Sequence, residues 1–198
     1  MSKIHFHRLA FVLLSFILLP LFIFSGIIPF SQRFNLLHVM LIVLAIYTGI
    51  SGFTPDDLGF TQRYMKESIL INGLISLLLI FLLALAMLAD LYHPGAVKLN
   101  GFFFYYVFFL GPVQEFLYRS FLRVELKKDG IENHWHRIII SSILFSFLHI
   151  IYRSVPFMLA TFVAGLLWSY TYEKYPYIYG PMLSHAVVGI ITVSGSLA

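Results

Sequence analysis

The chain has 198 residues and a formal net charge of +4; 60% of its residues are hydrophobic and only 11% are charged. Soluble domains are about 45–50% apolar and about 25% charged, so this composition excludes a soluble domain and predicts an integral membrane protein. The sequence contains no cysteine, which excludes disulfides, thiolate catalysis and iron–sulfur ligation. The basic residues form no stripe, and nucleic acid is therefore not predicted as a partner.

Apolar segments separated by charged or turn-forming residues predict an all-α fold, a polytopic membrane helical bundle of about seven transmembrane helices. In chain order the predicted helices are 9–29, 36–53, 69–89, 102–126, 138–152, 155–172 and 178–196. The first run is longer than the apolar region of a signal peptide, so we expect it to remain as a span. The fifth run is short and the break after it is tight, which favours a membrane hairpin with the sixth.

We expect one integral membrane domain over residues 1–198, with the motifs in 101–196, because no polar stretch is long enough to fold alone. The positive-inside rule predicts a cytoplasmic N-terminus. In that orientation nine basic residues lie on the inner side, namely Lys3, Arg8, Arg63, Lys66, Arg123, Lys127, Lys128, Arg137 and Lys174. Three lie on the outer side, namely Arg33, Lys98 and Arg153. The small size and minimal architecture favour the cytoplasmic membrane of a bacterium.

Four ionisable side chains lie inside otherwise apolar runs: Glu115, Arg119, His149 and His185. A charge at the centre of a membrane span costs roughly 2.5–3.5 kcal/mol, so groups of this kind tend to be functional. Counting about 1.5 Å per residue from the nearest inner-edge cation puts the carboxylate and both imidazoles about 16–18 Å deep. The sequence therefore predicts that these groups share one site within the bilayer.

Glu115 and Arg119 are four residues apart, so they lie on the same helix face and can pair. Such a pair has two interpretations: a structural ion pair, or a carboxylate that activates water and is held by the arginine. A lone intramembrane histidine is often only a hydrogen-bonded packing residue. A carboxylate with two imidazoles at one depth can activate water and stabilise an oxyanion, which favours a catalytic site.

Three stretches then carry a family resemblance: Gln114-Glu115-Phe116-Leu117-Tyr118-Arg119, Phe145-Ser146-Phe147-Leu148-His149 and His185-Ala186-Val187-Val188-Gly189. Their order and spacing resemble the EExxxR, FxxxH and HxxxN or HxxxD motifs of the CAAX proteases and bacteriocin-processing enzymes. These are glutamic intramembrane peptidases that include the Ras-converting endopeptidase. The resemblance covers residues 111–189 and extends loosely to the loop 57–60.

The resemblance implies roles for these residues. Glu115 and His149 would activate water for attack on a peptide carbonyl, and His185 would stabilise the oxyanion. Gln114, Arg119, Phe145, Gly189 and Thr192 are expected to support them. The resemblance also implies that no metal and no cofactor are used. It makes the partners a membrane-anchored or lipidated peptide and the lipid bilayer, with the peptide reached from a water-filled cavity.

Two positions depart from the family pattern. Gln114 stands where the family has its first glutamate, and an amide cannot take a proton at neutral pH. Glu115 is then the only carboxylate in the motif, about 100° round the helix from Gln114. Gly189 stands where an Asn or Asp would join the second histidine. Thr192, one turn further along, is a candidate replacement for that polar side chain.

Three alternatives remain open at this point. The substitutions favour a catalytically weakened member that binds a membrane peptide as an immunity or scaffold protein. Two histidines and a carboxylate can also bind Zn²⁺ or Fe²⁺, although no HExxH spacing is present. Intramembrane Glu, Arg and His side chains also fit a transporter or proton relay, but the sequence shows no inverted repeat.

Overall fold

The computed structural model describes residues 3–93 and 100–196, and within these ranges it contains helices and no strands. Seven helices follow one another along the chain: α1 Lys3–Phe24, α2 Arg33–Ile50, α3 Met65–Leu88, α4 over residues 101–128, α5 His134–Leu148, α6 Val155–Lys174 and α7 Tyr179–Ser196. Short 3₁₀ turns precede α2, at Phe30–Gln32, and follow α5, at His149–Tyr152. Each predicted helix overlaps one of these seven, and α1 ends at Phe24 rather than at residue 29.

Among the described residues, four helical stretches are long and apolar enough to cross a membrane: Phe30–Ile50, Met65–Leu88, His134–Tyr152 and Val155–Lys174. The all-α membrane bundle is therefore confirmed, whereas the count of seven spans stays a prediction. The cytoplasmic N-terminus also stays a prediction, and Lys98, which entered the charge count, lies outside the described residues.

Helix α4 lies at the centre of the bundle. The aromatic and aliphatic side chains of its middle turns are fully buried, and they include Leu117, Tyr118, Phe121 and Leu122. Outer helices such as α3 show the opposite pattern, with Leu70, Leu74 and Leu77 more than half exposed. A bundle whose apolar side chains face outward is suited to a lipid environment, because lipid replaces water as the outer solvent.

Helix α3 turns a polar stripe towards the interior. Ser68, Asn72 and Ser76 recur every four residues and are all buried. The Asn72 side-chain oxygen accepts a hydrogen bond from Thr171 of α6 at 3.3 Å, and Ser76 Oγ donates to Ser184 Oγ of α7 at 2.8 Å. These bonds hold α6 and α7 against α3, because small polar residues allow close packing and hydrogen bonding between membrane helices.

Helices α5 and α6 form the predicted hairpin. Arg153 makes the turn in a left-handed conformation with φ 56°, and the Ser154 side chain caps α6 by accepting a hydrogen bond from the Phe157 N–H. Gly165 lets the two helices approach closely, since a Cβ there would lie 3.3 Å from Ser142 Cα.

The loop between α2 and α3 is attached to the same end of the bundle as the α6–α7 connection. Ser120 Oγ of α4 donates to the Leu58 carbonyl at 2.7 Å, and the Ile178 N–H donates to the Gly59 carbonyl at 3.1 Å. Gly59 has φ 74°, and a Cβ at this position would overlap the Tyr172 hydroxyl. The loop therefore needs glycine at this point for both its backbone conformation and its close packing.

Candidate active site

Helix α4 changes its turn geometry around Glu115. Residues Gly111–Glu115 are α-helical, but they lie between the π-helical stretches Tyr106–Leu110 and Phe116–Phe121. A π turn holds one residue more than an α turn, so the residues after it are rotated by about 100°. Glu115 thus takes the angular position that Gln114 would have if the helix were α-helical from its start. The altered turns present a carboxylate in spite of the Gln114 substitution.

The Glu115 carboxylate is completely buried and uses both of its oxygens. Oε1 lies 2.7 Å from Nδ1 of His185, and Oε2 lies 3.1 Å from Nε of Arg119. The Glu115 and Arg119 side chains are both 0% exposed. Because carboxylate and guanidinium neutralise each other, the pair can be buried at a lower cost than either charge alone.

Arg119 makes three contacts in addition to the one with Glu115: a hydrogen bond to a serine and contacts with two aromatic rings. Its Nη1 donates to Ser141 Oγ at 3.1 Å, and Ser141 Oγ donates in turn to the Tyr118 carbonyl at 2.6 Å. Its guanidinium carbon lies 4.5 Å from the ring centroid of Phe145 and 5.9 Å from that of Trp168. Aromatic faces stabilise a desolvated cation, so these rings help Arg119 to remain charged in the interior.

His185 is fixed from three sides. Trp168 stacks on its ring at 4.8 Å with an interplanar angle of 13°, and Phe145 meets it edge to face at 5.6 Å. Glu115 takes the hydrogen bond at Nδ1. An ionised carboxylate only accepts hydrogen bonds, so Nδ1 carries a proton and Nε2 is the atom left for a ligand.

His149 also contacts Phe145, and their ring centroids are 5.0 Å apart. The two rings meet at 71°, edge to face. His149 Nδ1 donates to the Phe145 carbonyl at 2.8 Å, because a carbonyl can only accept. In the neutral imidazole Nε2 then carries the lone pair and can accept a proton.

The three principal residues predicted from the sequence therefore meet around Phe145. Glu115 is 0% exposed, His185 5% and His149 8%, so none of them faces lipid. The carboxylate forms a hydrogen bond with His185, whereas the hydrogen bond of His149 among the described residues is to the Phe145 carbonyl and not to Glu115.

The supporting residues take different places. Gln114 is buried, and its Oε1 has no hydrogen-bond partner within the described ranges. Thr192 donates its hydroxyl to the Gly189 carbonyl at 3.0 Å, so this hydroxyl is occupied by its own helix. The space next to Gly189 is filled by Tyr106, because a Cβ at residue 189 would overlap the Tyr106 hydroxyl and ring.

Sequence reasoning missed three residues of this site: Tyr106, Ser141 and Trp168. Two of them are aromatic residues in a chain with 21 Phe and 12 Tyr, so their presence in an apolar run is no signal. Trp168 could have been noticed because the chain has only two Trp, and its Nε1 donates to Ser184 Oγ next to His185 at 2.9 Å.

The site is closed in this structure. A small pocket lies beside Arg119 and is lined also by Arg123, Arg137 and Glu173. A second small pocket lies between α1, α2 and Tyr118. Neither is lined by Glu115, His149 or His185, so the water-filled cavity expected at these residues is not seen in either. Within 3–93 and 100–196, no group of three His, Cys, Asp or Glu side chains is placed to hold a metal ion.

Residues 96–191 of the chain match the model of a family described as Rce1-like, type II CAAX prenyl endopeptidase. The matched stretch contains Tyr106, Glu115, His149, His185 and Gly189, and it ends one residue before Thr192. No curated protein and no solved structure matches the chain.

Proposed function

We propose that the chain, whose residues 96–191 match the Rce1-like family of type II CAAX prenyl endopeptidases, is an intramembrane endopeptidase. Its substrate would be a membrane-anchored or lipidated peptide, cut near the end of the chain. We place it in a bacterial cytoplasmic membrane, with the N-terminus in the cytoplasm. The observation that carries the proposal is the buried Glu115–His185 contact of 2.7 Å, together with the Phe145 ring, which contacts both His185 and His149.

In this proposal His149 is the general base. Its Nδ1–H donates a hydrogen bond to the Phe145 carbonyl. The lone pair on Nε2 is then the one that takes a proton from a water molecule. The water oxygen attacks the peptide carbonyl carbon, and the π-electron pair of the C=O bond moves onto its oxygen. The oxyanion then re-forms the C=O bond as the C–N bond breaks, and His149 returns the proton to the leaving amine nitrogen, so the imidazole finishes neutral.

His185 would stabilise the oxyanion. Glu115 accepts the hydrogen bond from its Nδ1–H, which fixes the orientation of the ring and directs Nε2 towards the developing charge; the proposed role needs an N–H at Nε2. Trp168 restrains the ring from one face, so the donor is positioned before the substrate arrives. Glu115 acts here through His185, and Arg119 acts through Glu115.

A second candidate is a family member that binds a membrane peptide without cutting it. Gln114, which cannot accept a proton, and the closed site favour this function. The two candidates differ in one respect that can be measured, namely hydrolysis.

The test uses the full chain, purified in detergent and offered prenylated and acylated peptides whose cleavage releases a fluorophore. We expect cleavage by the wild type and a loss of about 10²–10⁴-fold in kcat for Glu115→Gln and His149→Gln. Glu125→Gln and His38→Gln are the matched controls. Glu125 is a buried carboxylate on the same helix that bonds Tyr47, and His38 is a half-buried histidine that contacts Tyr105. Full activity in both site variants would refute the peptidase, and peptide binding without any cleavage would favour the second candidate.

A further inference from the structure

Gly189 leaves a gap in the family pattern directly beside His185, and the structure shows what fills it. Residue 189 is one turn after residue 185 on α7, so both positions lie on the same helix face. A Cβ built on Gly189 would overlap the hydroxyl oxygen, Cζ and Cε1 of Tyr106. The phenol of Tyr106 therefore occupies the volume that an Asn or Asp side chain would need.

Tyr106 is buried, and its ring lies 6.1 Å from the His185 ring at an angle of 67°. Tyr106 O–H takes part in none of the hydrogen bonds between the described residues, of which His185–Glu115 is the nearest in the site. A phenol hydroxyl that does not bond the protein keeps its O–H donor for a ligand. Here the phenol ring contacts the ring of the histidine that would stabilise the oxyanion.

The backbone around Tyr106 is consistent with a positioned side chain. Tyr106 begins the first π-helical stretch of α4, and turns of this kind are frequent at functional sites. Close packing keeps the segment in place, because a Cβ on Gly111 would lie 3.9 Å from the Ala186 backbone of α7. The same short piece of α4 thus positions both the phenol and Glu115.

We propose that Tyr106 is a catalytic residue of this chain, and that its hydroxyl donates a hydrogen bond to the oxyanion alongside His185. The proposal rests on the proposed peptidase function. The phenol keeps its proton throughout, so the step needs no further acid, base or cofactor. The hydroxyl acts where charge develops on the carbonyl oxygen, and it replaces the polar side chain that residue 189 lacks.

The test is Tyr106→Phe, which removes only the hydroxyl oxygen. Loss of one oxyanion donor typically lowers kcat by about 10²–10³-fold, and we expect the lower end of this range with KM changed by less than about twofold. Tyr105→Phe is the matched control, since the neighbouring hydroxyl already bonds His38 Nε2 at 3.2 Å. We expect the control to keep wild-type kcat.

A second measurement does not depend on turnover. A prenylated peptide whose scissile amide is replaced by a phosphinate carries a tetrahedral anion in place of the reacting carbonyl. We expect its affinity to fall about 10²-fold in Tyr106→Phe, in parallel with kcat, while the affinity of the uncut peptide is unchanged. If the wild type binds the phosphinate through Tyr106 but cuts nothing, the peptidase function is wrong, and Tyr106 binds the anion without a catalytic role. If the wild type cuts and Tyr106→Phe equals it in both measurements, the proposal for Tyr106 is overturned. Binding of neither peptide by the wild type overturns both.

A side-chain exchange gives an independent check. Gly189→Asn alone should lose activity, because the new side chain overlaps Tyr106. Tyr106→Ala with Gly189→Asn should be at least about tenfold more active than Tyr106→Ala alone, since the amide then has both room and a role. Equal activity of these two variants would show that residue 189 and Tyr106 do not share a function.

Discussion

The buried ion pair between Arg119 and Glu115 makes a prediction about stability that is independent of catalysis. Replacing Arg119 by Met leaves the Glu115 carboxylate 0% exposed, with His185 as its remaining partner. Removing one member of a buried pair typically costs about 3–5 kcal/mol, because the other charge stays buried without compensation. For a chain of this size, about 1 kcal/mol corresponds to roughly 2–4 °C in Tm, so we expect a fall of roughly 6–20 °C.

The measurement is the midpoint of thermal unfolding in detergent micelles. The double variant Arg119→Met with Glu115→Gln removes both charges and should recover most of the loss, since replacing a whole buried pair is often neutral. Arg123→Met is the control: its partner Glu173 keeps two hydrogen bonds from Arg137, at 2.7 and 2.9 Å, so we expect a change of at most about 1 kcal/mol.

Two results would refute this reasoning. A Tm for Arg119→Met equal to that of the wild type would mean that the two side chains do not compensate each other. A double variant as unstable as the single one would assign the loss to the contacts of Arg119 with Ser141 and Phe145, and not to an uncompensated charge.

Two further predictions concern packing and acid stability. Gly165→Ala should destabilise the fold by about 1–3 kcal/mol, because its Cβ would lie 3.3 Å from Phe145 Cδ1. Gly73→Ala on α3 is the control: its Cβ has no atom within 4 Å, so this change should stabilise the fold by up to about 1 kcal/mol. Equal shifts of Tm in the two variants would contradict the close α5–α6 crossing. Hydrogen bonds from the Thr54 backbone N–H and hydroxyl hold the pKa of Asp57 below its usual range, so its contribution to stability is present above about pH 4 and is lost as the pH falls through the folded-state value. Asp57→Asn should therefore show a smaller decrease of Tm than the wild type between about pH 5 and pH 3, and parallel curves would show that the loop contact does not contribute.

Much of the fold could be predicted because hydrophobic run length and local breaks carry the information. Pro, Gly and charged residues mark the ends of the runs, and the seven helices lie where these signals are. The depth count also predicted one level for Glu115 and His185, and the two side chains are in contact at 2.7 Å. That count works because the rise per residue of a helix is nearly constant.

The partner of Glu115 could not be predicted in the same way. The direction of the Glu115 side chain depends on where α4 widens into π turns, at Tyr106–Leu110 and Phe116–Phe121. Nothing in a run of aromatic and aliphatic residues marks such a position. For the same reason the sequence around Gly189 gave no indication that Tyr106 fills the space beside it. The obstacle is a side chain on a different helix, about eighty residues earlier in the sequence, and only the packing of α4 against α7 reveals it.

The placement of both charges of the pair on one helix has a consequence for biogenesis. Glu115 and Arg119 are both on α4, whereas His149 and His185 belong to segments that the ribosome makes later. The translocon therefore receives these two charges as a pair whose sum is neutral, before any later helix exists to solvate either of them. If the arginine were on α5 or α7, the Glu115 carboxylate would have no counter-ion until that later helix had been synthesised.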